Sequence, residues 1–193
     1  MTNQPTFVAF LGHSLIARGP AGAVARAAYA AQGETAPLLV FDAATSAPLD
    51  LDLRGTADEA SARAEAGFAP QAPRGRGRPK LGVEAREVTL LPRHWDWLRA
   101  QPGGASVALR KLVEAASHDP RREAHQAARR AQEAAYKFMH GIGGDLPGFE
   151  EAARALFAKD GTAFAARIAG WPGDVRAHAL ALAEPAFAAR TTQ

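Results

Sequence analysis

No cysteine occurs in the sequence, which excludes disulfides and thiolate-held metals and fits a cytosolic chain. Aromatic residues are scarce at 7%, and alanine supplies much of the 47% hydrophobic fraction. That composition favours helices with thin cores and close approach between elements. The chain nowhere approaches the roughly 18 consecutive apolar residues that cross a bilayer. No basic stretch leads into an apolar run near Met1, so neither a membrane span nor a secretory signal is expected. Also missing are the HExxH, Gly-x-Ser-x-Gly, phosphate-loop and dinucleotide glycine patterns. These absences argue against an enzyme, and no catalytic residue, metal ligand or cofactor is expected. Three pairs remain: His13 with Asp42, Asp50 with Asp52, and Asp174 with His178. Pairs of this kind are more often surface groups than sites.

What is present is charge in one place. The formal net charge is only +3. Residues 74–111, however, carry nine Lys and Arg against three Asp and Glu, a local +6. Residues 1–73 carry four against seven, and residues 112–193 ten against ten. A basic centre between an acidic flank and a neutral one points to a localised polyanion site rather than a generally adhesive surface.

Local patterning divides the chain. Residues 6–11 read as a strand, Gly12-His13 as a turn, and Ser14 to Arg18 as a second strand. Pro20 precedes an Ala-rich helix over 21–32 that stops at Gly33. Pro37 to Phe41 and the alternating Leu49-Asp50-Leu51-Asp52-Leu53 supply two more strands around a loop at 42–46. Residues 1–55 are therefore expected to form a small ββαββ domain. Residues 56–80 have linker composition, with room for a short helix over 57–66. A helical unit over 117–193 should contain helices at 119–139, 147–158, 161–169 and 172–183, stopped by Gly141, Gly143, Gly144 and later Gly-Pro punctuation. Its expected core is Phe149, Leu156, Phe157, Phe164, Ile168 and Trp171. The expected class is α+β.

Between linker and helices, residues 81–116 hold a denser pattern. Arg86 to Pro92 reads as a strand halted by proline, followed by an amphipathic helix over 93–101 carrying Trp95 and Leu98. Pro102-Gly103-Gly104 breaks the chain, and Ser106 is a candidate N-cap for a second helix bearing Leu109, Leu112 and Val113 on one face. Strand, helix, glycine turn and Ser-capped helix, with Leu91-Pro92 and Gly104-Ala105-Ser106 at the matching places, resemble the ribbon-helix-helix family of Arc, MetJ and CopG-like repressors and many antitoxins. The resemblance implies a homodimer whose core takes Val88, Leu90, Trp95, Leu98, Leu109, Leu112 and Val113. It also implies a two-stranded ribbon in the major groove and a phosphate held near Ser106. The strand phase is open. One phase turns Arg86, Val88 and Leu90 to DNA, and the other turns Glu87, Thr89 and Leu91. Arg86 and Thr89 are the base-reading candidates, and a bulge would reconcile the two phases.

Immediately upstream, Arg74-Gly75-Arg76-Gly77-Arg78-Pro79-Lys80 is similar to an AT-hook, whose Arg-Gly-Arg-Pro core matches residues 76–79. Arginines around a glycine can lie along a narrow A·T minor groove, where the negative potential is greatest. Arg74, Arg76, Arg78 and Lys80 are thus further DNA-contact candidates. The whole chain also resembles an uncharacterised bacterial family, which implies no activity.

The expected protein is a homodimeric transcription regulator bound to double-stranded DNA, in the cytoplasm and associated with the nucleoid. Its N-terminal and C-terminal parts are available to bind another protein. The alternative is an antitoxin-like or adaptor module that uses the ribbon-helix-helix for dimerisation.

Overall fold

The computed structural model describes residues 5–69, 86–118 and 120–188. They divide into two units, Met1–Pro70 with His125–Gln193, and Gln71–Ala124. The class is α+β, as the sequence indicates.

The first unit is built on a four-stranded antiparallel sheet of order β2-β1-β3-β4. Its strands are β1 (Phe7–Leu11), β2 (Ser14–Gly19), β3 (Leu38–Asp42) and β4 (Pro48–Leu49). Antiparallel sheets often leave one face to water, and their strands then alternate. β1 instead reads Phe-Val-Ala-Phe and buries all four residues, because both sheet faces are covered. Phe7, Ala9 and Val40 meet Ala21, Val24 and Ala25 of α1 (Ala21–Ala30) and Ala64 of α2 (Ala57–Phe68). The alternate residues Val8, Phe10 and Phe41 meet the C-terminal helices. Side chains of period two thus feed two separate cores.

Those helices are α5 (Pro120–Gly143), α6 (Phe149–Phe157), α7 (Gly161–Arg167) and α8 (Gly173–Ala188). Phe138, Met139, Ile142, Phe149, Leu156, Phe164, Ile168, Trp171 and Val175 share one cluster with Val8, Phe10 and Phe41. The N-terminal strands and the C-terminal helices, separate in the sequence reading at residues 55 and 117, therefore have a common core.

Local differences have physical causes. Residues 57–68, in a segment of linker composition with room for a helix over 57–66, form α2, begun by a reciprocal capping box in which Thr56 Oγ1 accepts from Glu59 N and Glu59 accepts from Thr56 N. Phe68 closes that helix against Phe7, with ring centroids 4.7 Å apart. The Leu-Asp alternation continues past Leu49, but only Pro48 and Leu49 pair with β3. Asp52 is turned instead to Arg54 and Arg63. Gly141, expected to stop a helix, lies inside α5. A Cβ there would sit 3.2 Å from Phe41 Cε1, so the glycine lets the helix approach the sheet. Phe157, expected in the core, is 56% exposed.

One buried and one part-buried polar bond hold the helical layer. Gln132 Nε2 donates to Leu156 O at 2.9 Å, and Trp171 Nε1 donates to Pro147 O at 2.8 Å. Each satisfies a carbonyl where a helix end or loop would otherwise expose it to an apolar surround.

Candidate nucleic-acid interface

In the second unit, Pro92 starts α3 (Pro92–Arg99), where a missing N–H costs nothing, and Leu91 precedes it in extended conformation. The first turn closes by His94 N donating to Leu91 O at 2.9 Å. Arg99 pairs with Asp96 one turn back, across the exposed side of α3. Ala100 N donates to Asp96 O and Gln101 N to Leu98 O, ending the helix. Gly103 and Gly104 then take φ of 87° and 76°, the left-handed region that glycine tolerates without a Cβ penalty.

That glycine pair moves the start of the next helix. α4 runs Gly104–Ser117, and its N-cap is Gly103, with no side-chain cap bond. Ser106, expected as the cap, lies within the first turn and is exposed, and its carbonyl accepts from Arg110 Nε at 3.2 Å. Two consecutive residues able to adopt positive φ reverse the chain before a serine cap is needed. The amides at the start of α4 are therefore those following Gly103, three residues earlier than a Ser106 cap would place them.

The expected strand is the other difference. Residues 86–91 lie in no strand. A strand requires a second strand beside it, and among the described residues no strand pairs with this segment. Arg86, Glu87, Val88 and Thr89 are exposed, Leu90 is half-buried and Leu91 is exposed. Neither strand phase is thus selected within a single chain.

Of the expected dimer core, Leu98 is buried at 3% exposure, and Leu90, Trp95 and Leu109 are half-buried. Val88, Leu112 and Val113 are exposed, Val113 at 63%. Leu91 and Trp97 add to the apolar surface. The buried apolar residues of the described hairpin are Leu98 and Ala108. Arg74, Arg76, Arg78 and Lys80 lie outside the described residues.

The other candidate pairs are separated or otherwise engaged. Asp42 is opposite Phe7 at one end of β1, whereas His13 follows Leu11 at the other end. Asp42 Oδ1 instead accepts from Ala44 N, Thr45 N and Thr45 Oγ1 and fastens the turn before β4. Asp52 receives Arg54 Nε at 2.8 Å and Nη2 at 2.7 Å. These bonds hold its carboxyl well below the usual carboxylate range. Among the described residues no group of three His, Cys, Asp or Glu is placed to hold a metal, and no helix is long and apolar enough to cross a membrane. His178, expected at the surface with Asp174, is buried. No feature of the sequence alone distinguished it, because the helix is alanine-rich all round.

The arrangement is that of an α+β protein: one unit has an antiparallel sheet between two helical layers, and the second contains a helical hairpin. The chain belongs to the family of uncharacterized proteins conserved in bacteria, DUF2239, whose profile matches residues 6–183 and so spans both units. No curated protein and no solved structure matches it.

Proposed function

We propose that the chain is a homodimeric DNA-binding protein, a transcription regulator of ribbon-helix-helix type acting on the nucleoid. Two copies of residues 86–118 pair through the apolar faces of their hairpins and through residues 86–91. The ribbon so formed enters the major groove, and the basic arm of Arg74, Arg76, Arg78 and Lys80 follows the backbone or the adjacent minor groove. The observation that carries this reading is the apolar surface of the hairpin. Val88, Leu91, Trp97, Leu112 and Val113 stay exposed while Leu98 and Ala108 alone are buried among its described apolar residues. So small a core does not hold a unit by itself, and a second copy supplies both the missing burial and the missing strand.

Sedimentation equilibrium of the full chain at micromolar concentration should give a dimer, and Leu112→Glu with Val113→Glu should give monomers. Fluorescence anisotropy with duplex DNA should show affinity falling by about 10³ to 10⁵ between 50 and 200 mM salt if roughly six to ten phosphates are engaged. Deleting residues 74–80 should flatten that slope without dissolving the dimer. A wild-type monomer would refute the pairing. A dimer that binds no duplex at low salt would point to the adaptor or antitoxin-like reading instead.

A further inference from the structure

His178 lies in the first unit, which the proposed DNA contacts do not use. Its side chain is on α8, 5% exposed, packed against β1 and α5 within the C-terminal helical layer. The Phe138 ring meets it edge-on with centroids 4.6 Å apart, and the Phe10 ring lies 5.8 Å away. Its Nε2 is buried without a hydrogen-bond partner. One helical turn earlier, Asp174 Oδ2 accepts from Leu15 N at 2.9 Å, so the same face of α8 is tied to the edge strand β2.

We propose that His178 is an acid-operated latch between α8 and the sheet: uncharged, it seals the helix onto β1 and α5, and protonated, it leaves that box and frees α8 from β2.

The surroundings make the charged ring a poor fit. Phe10 on β1 is flanked on its own face by Val8 and Gly12, and Phe138 on α5 by Ala134, Ala135, Gly141 and Ile142, none of them charged. On α8 the residues one turn away are Asp174 and Leu182. The charge that acts on the ring from β2 is Arg18, which repels a second cation. Burial first, and Arg18 second, push the imidazole down to about 4. Once out of the box, an imidazolium has Asp174 as its i−4 neighbour. That carboxylate is the one now holding Leu15 N, so the released ring competes for the bond that ties down β2. An opened β2 edge is then available for pairing.

The sign follows from proton uptake. The folded value lies below the ordinary 6.5, so the open state binds the extra proton between those limits. Closure is complete above 6.5, weakens as pH falls towards 4, and changes no further below that. At pH 5 the opening equilibrium should be about 30-fold more favourable than at pH 7.5.

The test uses the full chain, with the His178 ring titrated by NMR and amide protection factors measured at pH 7.5 and 5.0. The ring should titrate well below 6.5, and protection at Leu15 and along α8 should drop by about 30-fold on acidification. His178→Leu, similar in volume and without charge, should keep its protection at both pH values. Arg18→Gln, an exposed change, should raise the ring's midpoint and shrink the drop, and it decides the matter if His178→Leu does not fold. A ring titrating near its ordinary value, equal wild-type protection at both pH values, the same drop in His178→Leu, or a midpoint unmoved by Arg18→Gln would overturn the latch.

Discussion

Replacing Phe138 by alanine should unfold the sheet and the C-terminal helices together. The ring is fully buried and lies 5.3 Å from Phe10, 5.5 Å from Phe41 and 4.6 Å from His178, measured between centroids. It is therefore the contact of α5 with two neighbouring strands and with α8 at once. Burying a phenylalanine is worth about 1.5 to 3 kcal/mol from area alone. Aromatic pairs add about 0.5 to 1.5 kcal/mol each, and the cavity left behind has its own cost. A loss of about 3 to 5 kcal/mol follows, the usual range for Phe→Ala in a core. Against a typical total of about 5 to 15 kcal/mol, such a loss removes much of the margin. Urea denaturation should show the midpoint falling with an unchanged slope. Native-state hydrogen exchange should show protection lost by a similar factor in β1, β3, α6 and α8. The reasoning fails if the loss is below about 1 kcal/mol. It also fails if the helices lose protection while β1 and β3 keep theirs, because the strands would then have a sufficient core of their own.

Two smaller perturbations test local arguments. Thr56→Ala removes one half of the capping box on α2 and should cost about 0.5 to 2 kcal/mol, read by thermal or chemical denaturation. No change would mean that Glu59 and the packing of Phe68 hold the helix start without it. Gly141→Ala should lack the gain of about 1 kcal/mol usual for this exchange inside a helix, because the new methyl meets Phe41 at 3.2 Å. A full gain would show that the ring yields freely.

The elements most legible in the sequence were those fixed by local chemistry. The Gly12-His13 turn, the β1 run, the helix after Pro20 and the glycine break at 103–104 follow from backbone preference and short-range pattern. What failed to show was whatever depends on distant chain. β1 is apolar at every position, but nothing near it in sequence says that its second face is covered by residues more than a hundred positions away. Gly141 looked like a stop signal because its reason is a phenylalanine on another element. Ser106 looked like a cap because serine often is one, yet the two glycines before it had already turned the chain. The alanine-rich α8 gave no stripe from which to infer that His178 is inside. In the hairpin, Leu98, expected in a dimer core, is already buried within one chain. Val88, Leu112 and Val113, equally apolar in sequence, are exposed in the single chain.

The shared core also sets an order in time. During synthesis Val8, Phe10 and Phe41 leave the ribosome roughly a hundred residues ahead of Phe138, an interval of about 5 to 20 s at ordinary rates of elongation. Throughout that interval α1 and α2 can cover one side of the nascent sheet while the other has only water or a chaperone against it. The hairpin at 86–118 emerges inside the same interval, before its own chain is able to finish the first unit. If the proposed dimer forms, two nascent chains on one message meet through their hairpins while each still holds an uncovered sheet face. Assembly would then precede completion, and a truncation within α5 should yield aggregates rather than a smaller folded protein.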